Sequence, residues 1–306
     1  MIGISHLDIG SANLAYRVFG TGKINVVIES ALNSCGAEWW HIGEALAGKY
    51  TVLVYDRAGY GASSASRLAR TPKNIAGELR QLLAHLEVER RVILVGHSQG
   101  GLYVQQYSRL YPDSVKGVVL IDPLSANDNR FKELLSADDY ARSGVGKVKN
   151  LKMGYWLARI GLGFLLRPLL KKAPPFYYYD KFSAEAADCI LRSSTRARQY
   201  KTAIDEYLLS HADEHITDLK AGQGFPSIPL VLITHTSEIA VEENMHYGGI
   251  SRELAERVEG IWQEIMAEYL TFSANSVFMQ AKASSHYVHL TEYPLLEAAL
   301  AKAAVD

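Results

Sequence analysis

The chain has 306 residues, of which 48% are hydrophobic and 21% are charged, and its formal net charge is −1. This length allows one large core, or one core with an inserted lobe, and the composition is that of a soluble globular protein. The balanced charge excludes the basic excess of an electrostatic nucleic-acid binder, so no nucleic-acid partner is expected.

Cysteine usage and the start of the chain bear on location. The two cysteines, Cys35 and Cys189, are far apart and form no metal-binding spacing. The first residues lack the basic region and apolar stretch that mark a signal peptide. The expectation is therefore a reducing, cytoplasmic location, with a single disulfide left open.

Strand patterns dominate the first part of the chain and recur later. Residues 4–8 and 13–18 are predicted to form a short antiparallel pair, because turn residues separate them. Continuous apolar runs follow, and such runs are typical of strands that are covered on both faces. They occupy residues 24–29, 51–55, 91–95, 117–121 and 229–234, with a weaker run at 276–281.

Helical patterns fill the gaps between these runs. Residues 74–86 place Ile75, Leu79 and Leu82 on one stripe, as expected of an amphipathic helix. Further helices are predicted over residues 99–110, 251–269 and 294–304. Strands that alternate with helices predict an α/β fold with a mostly parallel, doubly wound sheet.

One block breaks this alternation. Residues 125–223 show helical patterns but no strand run, which predicts a helical cap, or lid, inserted into a core formed by residues 1–124 and 224–306. Within the cap, residues 153–170 come nearest to a membrane segment, but charges and a proline interrupt them. We predict a buried or lid helix there, with an amphipathic surface helix as the alternative.

A serine follows one of the apolar runs. Residues 96–100 read GHSQG, a G-x-S-x-G pattern between a predicted strand and a predicted helix, with Ser98 at its centre. In this setting the turn is strained, and the hydroxyl is exposed beside a helix N-terminus that favours an anion. A serine that only caps the helix would not need the glycines around it. Ser98 is therefore the candidate nucleophile, and we expect His97 to point away from it.

A serine nucleophile needs a general base within hydrogen-bond reach. Of the ten histidines, His286 lies in the segment SSHYVHLTEYP, which follows the last strand run and precedes a helix. That loop belongs at the sheet edge that also holds the serine. His286 is the candidate base, and His289 is expected to turn toward the final helix.

Two acids qualify to orient this histidine. Asp122 directly follows the strand run GVVLI, and Glu238 stands just past the next run, PLVLIT. Both acids lie at the carboxyl end of a strand, and both give the chain order serine, acid, histidine. The residues alone leave the choice open.

Together these segments resemble the α/β-hydrolase fold family. GHSQGG is similar to the family's nucleophile turn, YDRAGYGAS at 55–63 to the loop after its fourth strand, and SSHYVHLTEYP to its histidine loop. The segment ESAL at 29–32 resembles the serine esterase-like branch, whose third strand ends in Glu-Ala-Gly. Relatives that open epoxides or displace halide use an aspartate where this chain has Ser98.

The resemblance also implies roles for particular residues. It implies an oxyanion hole formed by the backbone N–H of Gln99 and that of Leu32 or Ala31, since Ala31 replaces the usual glycine. It favours Asp122 as the acid, because members of this branch often lack an acid at the position of Glu238.

One other pattern competes with the serine. Residues 211–215, HADEH, fit the metal-binding pattern H-x-x-E-H if they lie on one helix, where residues i and i+4 share a face. Such short matches arise by chance. We predict no metal, and because the glycine pairs of the chain follow no strand, no dinucleotide or other cofactor.

The sequence thus predicts a serine hydrolase of carboxylic esters or related acyl compounds, acting through Ser98, His286 and either Asp122 or Glu238. The aromatic content of the cap suggests an apolar acyl pocket, from residues 155–156, 164–166 and 176–179. The expected partner is a small ester substrate. Membrane contact through the cap is not expected, and a homodimer is left open. The alternatives are a non-hydrolytic ligand-binding receptor and a C–C hydrolase or lyase on the same fold.

Overall fold

The computed structural model describes residues 3–146, 148–220, 222 and 224–305. Within them, eight strands form a single sheet. The strands are β1 (Ser5–Asp8), β2 (Asn13–Phe19), β3 (Val26–Glu29), β4 (Val52–Tyr55), β5 (Val92–His97), β6 (Val115–Ile121), β7 (Leu230–Thr234) and β8 (Ser276–Gln280). Their order is β1-β2-β4-β3-β5-β6-β7-β8. β2 is antiparallel to both neighbours and all other neighbouring strands are parallel, which confirms the predicted α/β sheet.

Helices surround this sheet. In the described part of the chain they are α1 (Trp40–Leu46), α2 (Pro72–His85), α3 (Gln99–Leu110), α4 (Arg130–Leu134), α5 (Ala137–Ser143), α6 (Lys149–Arg159), α7 (Arg167–Leu170), α8 (Ala184–Ser193), α9 (Ala197–Ser210), α10 (Asp213–Lys220), α11 (Ser237–Gly248), α12 (Arg252–Glu268), α13 (Val288–Thr291) and α14 (Tyr293–Ala303). The four helices predicted outside the cap correspond to α2, α3, α12 and α14. Helices α1 and α11 lie outside the predicted elements.

Strands β3 to β7 are buried on both faces, which explains their continuous apolar runs. Leu94 and Leu120 belong to an apolar cluster that includes side chains of α2, α3 and α12. Ile93 and Val119 belong to a second cluster with side chains of α1 and α14. Successive residues of a strand point to opposite faces, so each strand supplies both clusters.

Helices α4 to α10 all lie between β6 and β7, and the described residues there form no strand. The division into core and cap stays a prediction. The expectation of a single helix over 153–170 is wrong, whereas its place in a lid stays a prediction. Helix α6 ends at Arg159, because Gly161 adopts a φ of +82°, and a 3₁₀ turn at Gly163–Leu166 then leads into α7. Among the residues described, no helix is both long and apolar enough to cross a bilayer.

The parallel register determines where the functional segments meet. Strands β5 and β6 end at His97 and Ile121, which are paired in register. The next residues, Ser98 and Asp122, therefore lie side by side at the carboxyl edge of the sheet. Strand β7 ends at the same edge, since Ile121 pairs with Ile233.

Candidate active site

Ser98 occupies the strained turn between β5 and α3. Its φ of +53° and ψ of −123° lie in a region that non-glycine residues seldom adopt. The flanking glycines are needed for space: a Cβ on Gly96 would lie 2.7 Å from the Cα of Gly101, and one on Gly100 would lie 2.3 Å from the carbonyl oxygen of Glu29. The turn is the geometry in which a G-x-S-x-G serine is exposed above the sheet.

His286 and Asp122 are hydrogen-bonded partners. The His286 Nδ1 donates to Asp122 Oδ2 over 2.6 Å. The Asp122 side chain is buried, whereas 40% of the His286 side chain is exposed toward solvent. Asp122 directly follows β6 with a φ of +47°, so its side chain leaves the strand end in a fixed direction. One nitrogen of His286 is thereby oriented, and the other remains available for a reacting group.

Glu238, the alternative acid, lies elsewhere. It is in the first turn of α11, where 63% of its side chain is exposed, and its Oε1 accepts a hydrogen bond from Arg252 over 2.9 Å. The sequence had placed Glu238 just past β7, at the carboxyl end of the strand, but the chain enters a helix at Ser237. This turn directs Glu238 to the surface, so the acid bonded to His286 is Asp122 and not Glu238.

The segment after β3 faces the start of α3. Within the described part of the chain, neither the Leu32 N–H nor the Gln99 N–H donates to a backbone acceptor. The side chain of Arg57 holds this segment, with Nη1 donating to the carbonyl of Ser30 over 2.5 Å and Nη2 to that of Ala31 over 2.9 Å. One side chain thereby fixes two backbone carbonyls of the segment.

Arg57 also connects this segment to a helix between β6 and β7. It forms ion pairs with Glu29 over 2.8 Å and with Glu206 of α9 over 3.0 Å, and all three side chains are almost fully buried. Glu206 also accepts hydrogen bonds from Tyr60 over 2.8 Å and from Arg70 over 3.1 Å. Burial raises the pKa of Glu206, but Arg57 and Arg70 outweigh burial and lower that pKa overall.

Ser98, Asp122 and His286 line a common cleft with a volume of about 740 Å³. Its other walls are mixed in character. The apolar and aromatic contributors include Leu124, Phe131, Val145, Val258 and Trp262, and the polar ones include Asp128, Asn150, Tyr207 and Asn244. The aromatic segments at 155–156, 164–166 and 176–179, which the sequence suggested as pocket walls, are not among the lining residues. The difference has two causes. Trp156 and Phe164 are exposed to solvent, and Phe176 packs against the core.

Comparisons with known proteins agree with this architecture. A family model described as alpha/beta hydrolase fold matches residues 24–153, which include the Ser98 turn. An AB hydrolase superfamily protein of Gibberella zeae is 27% identical over 281 residues, covering 88% of this chain and 84% of that protein. The chain has the alpha/beta hydrolase fold.

Solved structures that share this fold carry differing descriptions. A structure described as an epoxide hydrolase has a TM-score of 0.68 and 17% identity, covering 99% of this chain and 98% of that one. A thermophilic esterase from Thermogutta terrifontis has a TM-score of 0.64 and 18% identity, covering 97% of each chain. At these identities the likeness shows the fold alone.

A second histidine contacts Asp122. His235 directly follows β7, and its Nδ1 and backbone N–H donate to Asp122 Oδ1 over 2.8 and 2.9 Å. Its Nε2 donates to Glu259 of α12 over 3.0 Å, and its ring stacks on Trp262 with centroids 4.1 Å apart. The sequence analysis did not identify His235 as a site residue. Its position directly after β7, at the sheet edge where the two acids were expected, could have indicated it.

Asp122, His235 and Glu259 form one buried chain of charge, and the partly exposed His286 is bonded to its Asp122 end. Burial would raise the pKa of Asp122, but His235 and His286 hold that pKa well below its usual range. Burial would lower the pKa of His235, but the carboxylates of Asp122 and Glu259 outweigh it and raise that pKa to about 10. His235 is therefore an imidazolium at neutral pH, with each ring nitrogen donating to a carboxylate.

We expect His235→Gln to lower the free energy of unfolding by about 3 kcal/mol near neutral pH, because it leaves two buried carboxylates without their cation. Since the pKa of His235 is higher in the folded chain, its contribution is complete below pH 6.5 and is lost as the pH rises toward about 10. Urea unfolding of both proteins across this range measures the difference. His85→Gln, an exposed histidine of α2, is the control. A difference that is absent at pH 6.5, or that does not shrink at alkaline pH, contradicts the assignment.

Two further histidines support the His286 loop. His97 does point away from the cleft: it is buried, and its Nε2 donates to the backbone carbonyl of His286 over 2.9 Å. Burial lowers the pKa of His97 to about 3, so it remains neutral. His289 is also buried and stacks on Trp39, with ring centroids 4.0 Å apart. The His97 ring packs against that of His286 with centroids 4.7 Å apart, and His289 packs against His97, so the two rings support this loop.

The HADEH segment is divided between two helices. His211 follows the end of α9 and His215 lies on α10, so the two rings do not share one helical face. His211 Nδ1 donates to the carbonyl of Tyr207 over 2.7 Å. In the part of the chain that the structure describes, no three His, Cys, Asp or Glu side chains are grouped to hold a metal ion.

Proposed function

We propose that this alpha/beta hydrolase is a serine hydrolase that cleaves carboxylic esters or related acyl compounds through an acyl-enzyme. The observation that carries the proposal is the oriented His286, whose Nδ1 donates to the buried Asp122 over 2.6 Å, in the cleft that Ser98 also lines. Serine in a strained turn, a histidine and an orienting carboxylate are the parts that acyl transfer requires.

The reaction follows from these positions. Ser98 Oγ attacks the acyl carbon while His286 Nε2 takes the hydroxyl proton, and the charge that develops on His286 is stabilised by Asp122. His286 then gives the proton to the leaving alkoxide as the bond between the acyl carbon and the alcohol oxygen breaks. A water molecule deprotonated by His286 attacks the acyl-enzyme, releases the acid and restores the Ser98 hydroxyl.

The negative charge that develops on the carbonyl oxygen of the substrate needs hydrogen-bond donors. The backbone N–H of Gln99, at the N-terminus of α3, and that of Leu32 are the candidates, with Ala31 as the alternative to Leu32. Support for Leu32 comes from Arg57, which binds the Ser30 and Ala31 carbonyls and so fixes the segment. The side chain of Gln99 donates instead to Tyr103 and Ser210, so only its backbone is assigned this role.

The walls of the cleft favour an uncharged substrate with an apolar acyl group. Phe131, Val145 and Trp262 supply apolar surface, while the nearby carboxylate of Asp128 would repel an anionic substrate. This replaces the earlier expectation that the exposed aromatic segments form the acyl pocket. The serine at position 98 supports ester cleavage over epoxide opening, despite the similar fold of the epoxide hydrolase.

A graded series of p-nitrophenyl esters, from acetate to decanoate, tests the activity. We expect an initial burst of one p-nitrophenol per chain, as acyl-enzyme forms, and hydrolysis at least about 10⁶-fold faster than in buffer. Styrene oxide is the parallel substrate for epoxide opening. Turnover of styrene oxide without ester turnover would overturn the proposal, and so would binding of ligands with no turnover of any ester, which favours a receptor.

A further inference from the structure

A surface between β6 and β7 has an unusual charge. Residues 149–172 contain six lysines and arginines and no aspartate or glutamate, in a chain whose net charge is only −1. This segment comprises α6, the 3₁₀ turn at Gly163–Leu166, and α7. We call its solvent-facing side the basic apolar face.

Helix α6 has one packed side and one exposed side. On the packed side, Gly154 lies so close to α9 that a Cβ would be 2.5 Å from the ring of Tyr200. The exposed side carries large apolar residues at helical spacing, with Met153 57%, Trp156 60% and Ile160 64% exposed. This is the reverse of an ordinary surface helix, whose apolar stripe faces the core.

The elements that follow extend the same pattern. The exposed large apolar residues of the 3₁₀ turn and α7 include Phe164, Leu165 and Leu169. Seven of the fourteen exposed large hydrophobic residues among those described fall within residues 149–172. Single exposed apolar residues need no explanation, but a concentration of this kind marks a binding surface.

Four of the six cations in this segment are available to a partner, whereas Arg167 is paired with Asp188 over 3.5 Å. Lys149, Lys152, Lys171 and Lys172 are exposed, and no ion pair in the described part of the chain involves any of them. Arg159 donates to the Tyr155 hydroxyl over 2.7 Å and so stays on the face. The partner must therefore offer both negative charge and an apolar interior.

We propose that the basic apolar face docks on the surface of an anionic lipid bilayer. Exposed aromatic and aliphatic residues interleaved with lysines are what such an interface binds, the rings entering the acyl boundary and the cations contacting headgroups. A second copy fits less well, because two such faces would bring positive charges together. The proposal reverses the earlier expectation of no membrane contact, and it does not depend on the proposed hydrolase activity.

The basic apolar face lies next to the cleft that holds Ser98. Asn150, on α6, lines the cleft that holds Ser98, so the face and the cleft meet along one helix. A chain docked in this way would have its cleft beside the lipid surface.

Co-sedimentation with vesicles tests the docking. We expect the full chain to bind vesicles of phosphatidylcholine mixed with phosphatidylglycerol, to bind pure phosphatidylcholine far less, and to be released by salt. Lys149→Glu with Lys152→Glu should weaken binding by at least about tenfold. Trp156→Ser with Phe164→Ser should also weaken binding, since two large apolar side chains no longer enter the lipid.

A matched control carries the same kinds of change elsewhere. Phe278→Ser with Lys302→Glu replaces an exposed aromatic residue of β8 and an exposed lysine of α14, and it should bind as the parent does. Circular dichroism confirms that each variant is folded. Equal binding to neutral and anionic vesicles overturns the proposal, as does unchanged binding of both face variants. Absence of binding at low salt, with or without dimerisation through this face, overturns it too.

Discussion

Replacement of Ser98 by alanine is expected to abolish covalent labelling by a fluorophosphonate probe and to lower ester turnover by about 10⁴-fold or more. The physical reason is the turn between β5 and α3. It holds the Ser98 hydroxyl in a cleft shared with His286, and alanine removes the oxygen that would attack the ester. Labelling followed by mass spectrometry of the modified peptide, together with kcat for a p-nitrophenyl ester, measures the effect.

Ser108→Ala is the matched control for this experiment. Ser108 lies on α3, the helix that follows Ser98, and its buried hydroxyl donates to the carbonyl of Val104 over 2.7 Å. This variant should label and turn over as the parent does. Persistent labelling of the Ser98→Ala protein, or a modified peptide that does not contain residue 98, would show that the nucleophile is another residue.

The fold could be predicted because its buried strands leave a clear pattern in the sequence. Ile93 and Leu94 are adjacent but serve opposite faces of the sheet, so a strand buried on both sides reads as an unbroken apolar run. Helix α11 gave no such pattern. Val241 is its one buried residue among those described, so it has no apolar stripe from which a helix could be recognised.

The contact between Glu259 and His235 could not be predicted from the sequence for a different reason. It depends on how α12 packs beside the residue that follows β7, and the packing angle of a helix is set by tertiary contacts. The exposure of Trp156 and Phe164 likewise depends on which side of a helix meets its neighbours. Composition identified these residues as apolar, but it did not show whether they line a pocket or face solvent.

The two candidate acids show how a small backbone difference decides a site. Both follow a parallel strand at the same edge of the sheet. Asp122 comes directly after β6, with its N–H bonded to the carbonyl of Ile233 over 2.8 Å, so its side chain stays at the strand end. At the corresponding place after β7 stands His235, and the chain has entered α11 before it reaches Glu238. Distance along the chain past the strand end therefore separates the acid that meets His286 from the one that does not.

Comparison of Asp122→Asn with Glu238→Gln tests which of the two acids assists His286. We expect Asp122→Asn to lower kcat by about 10³-fold or more, because an amide no longer stabilises the imidazolium of His286 or fixes its tautomer. Glu238→Gln should stay within about threefold of the parent, since only an exposed ion pair with Arg252 is lost. Asp122 also accepts a hydrogen bond from His235, so its replacement can destabilise the fold. The free energy of unfolding must therefore be measured alongside kcat. The size of the burst with a p-nitrophenyl ester counts the folded, competent sites. A larger loss for Glu238→Gln, or near-parent kcat in a folded Asp122→Asn protein, would remove Asp122 from the triad and leave its buried chain of charge with a purely structural role.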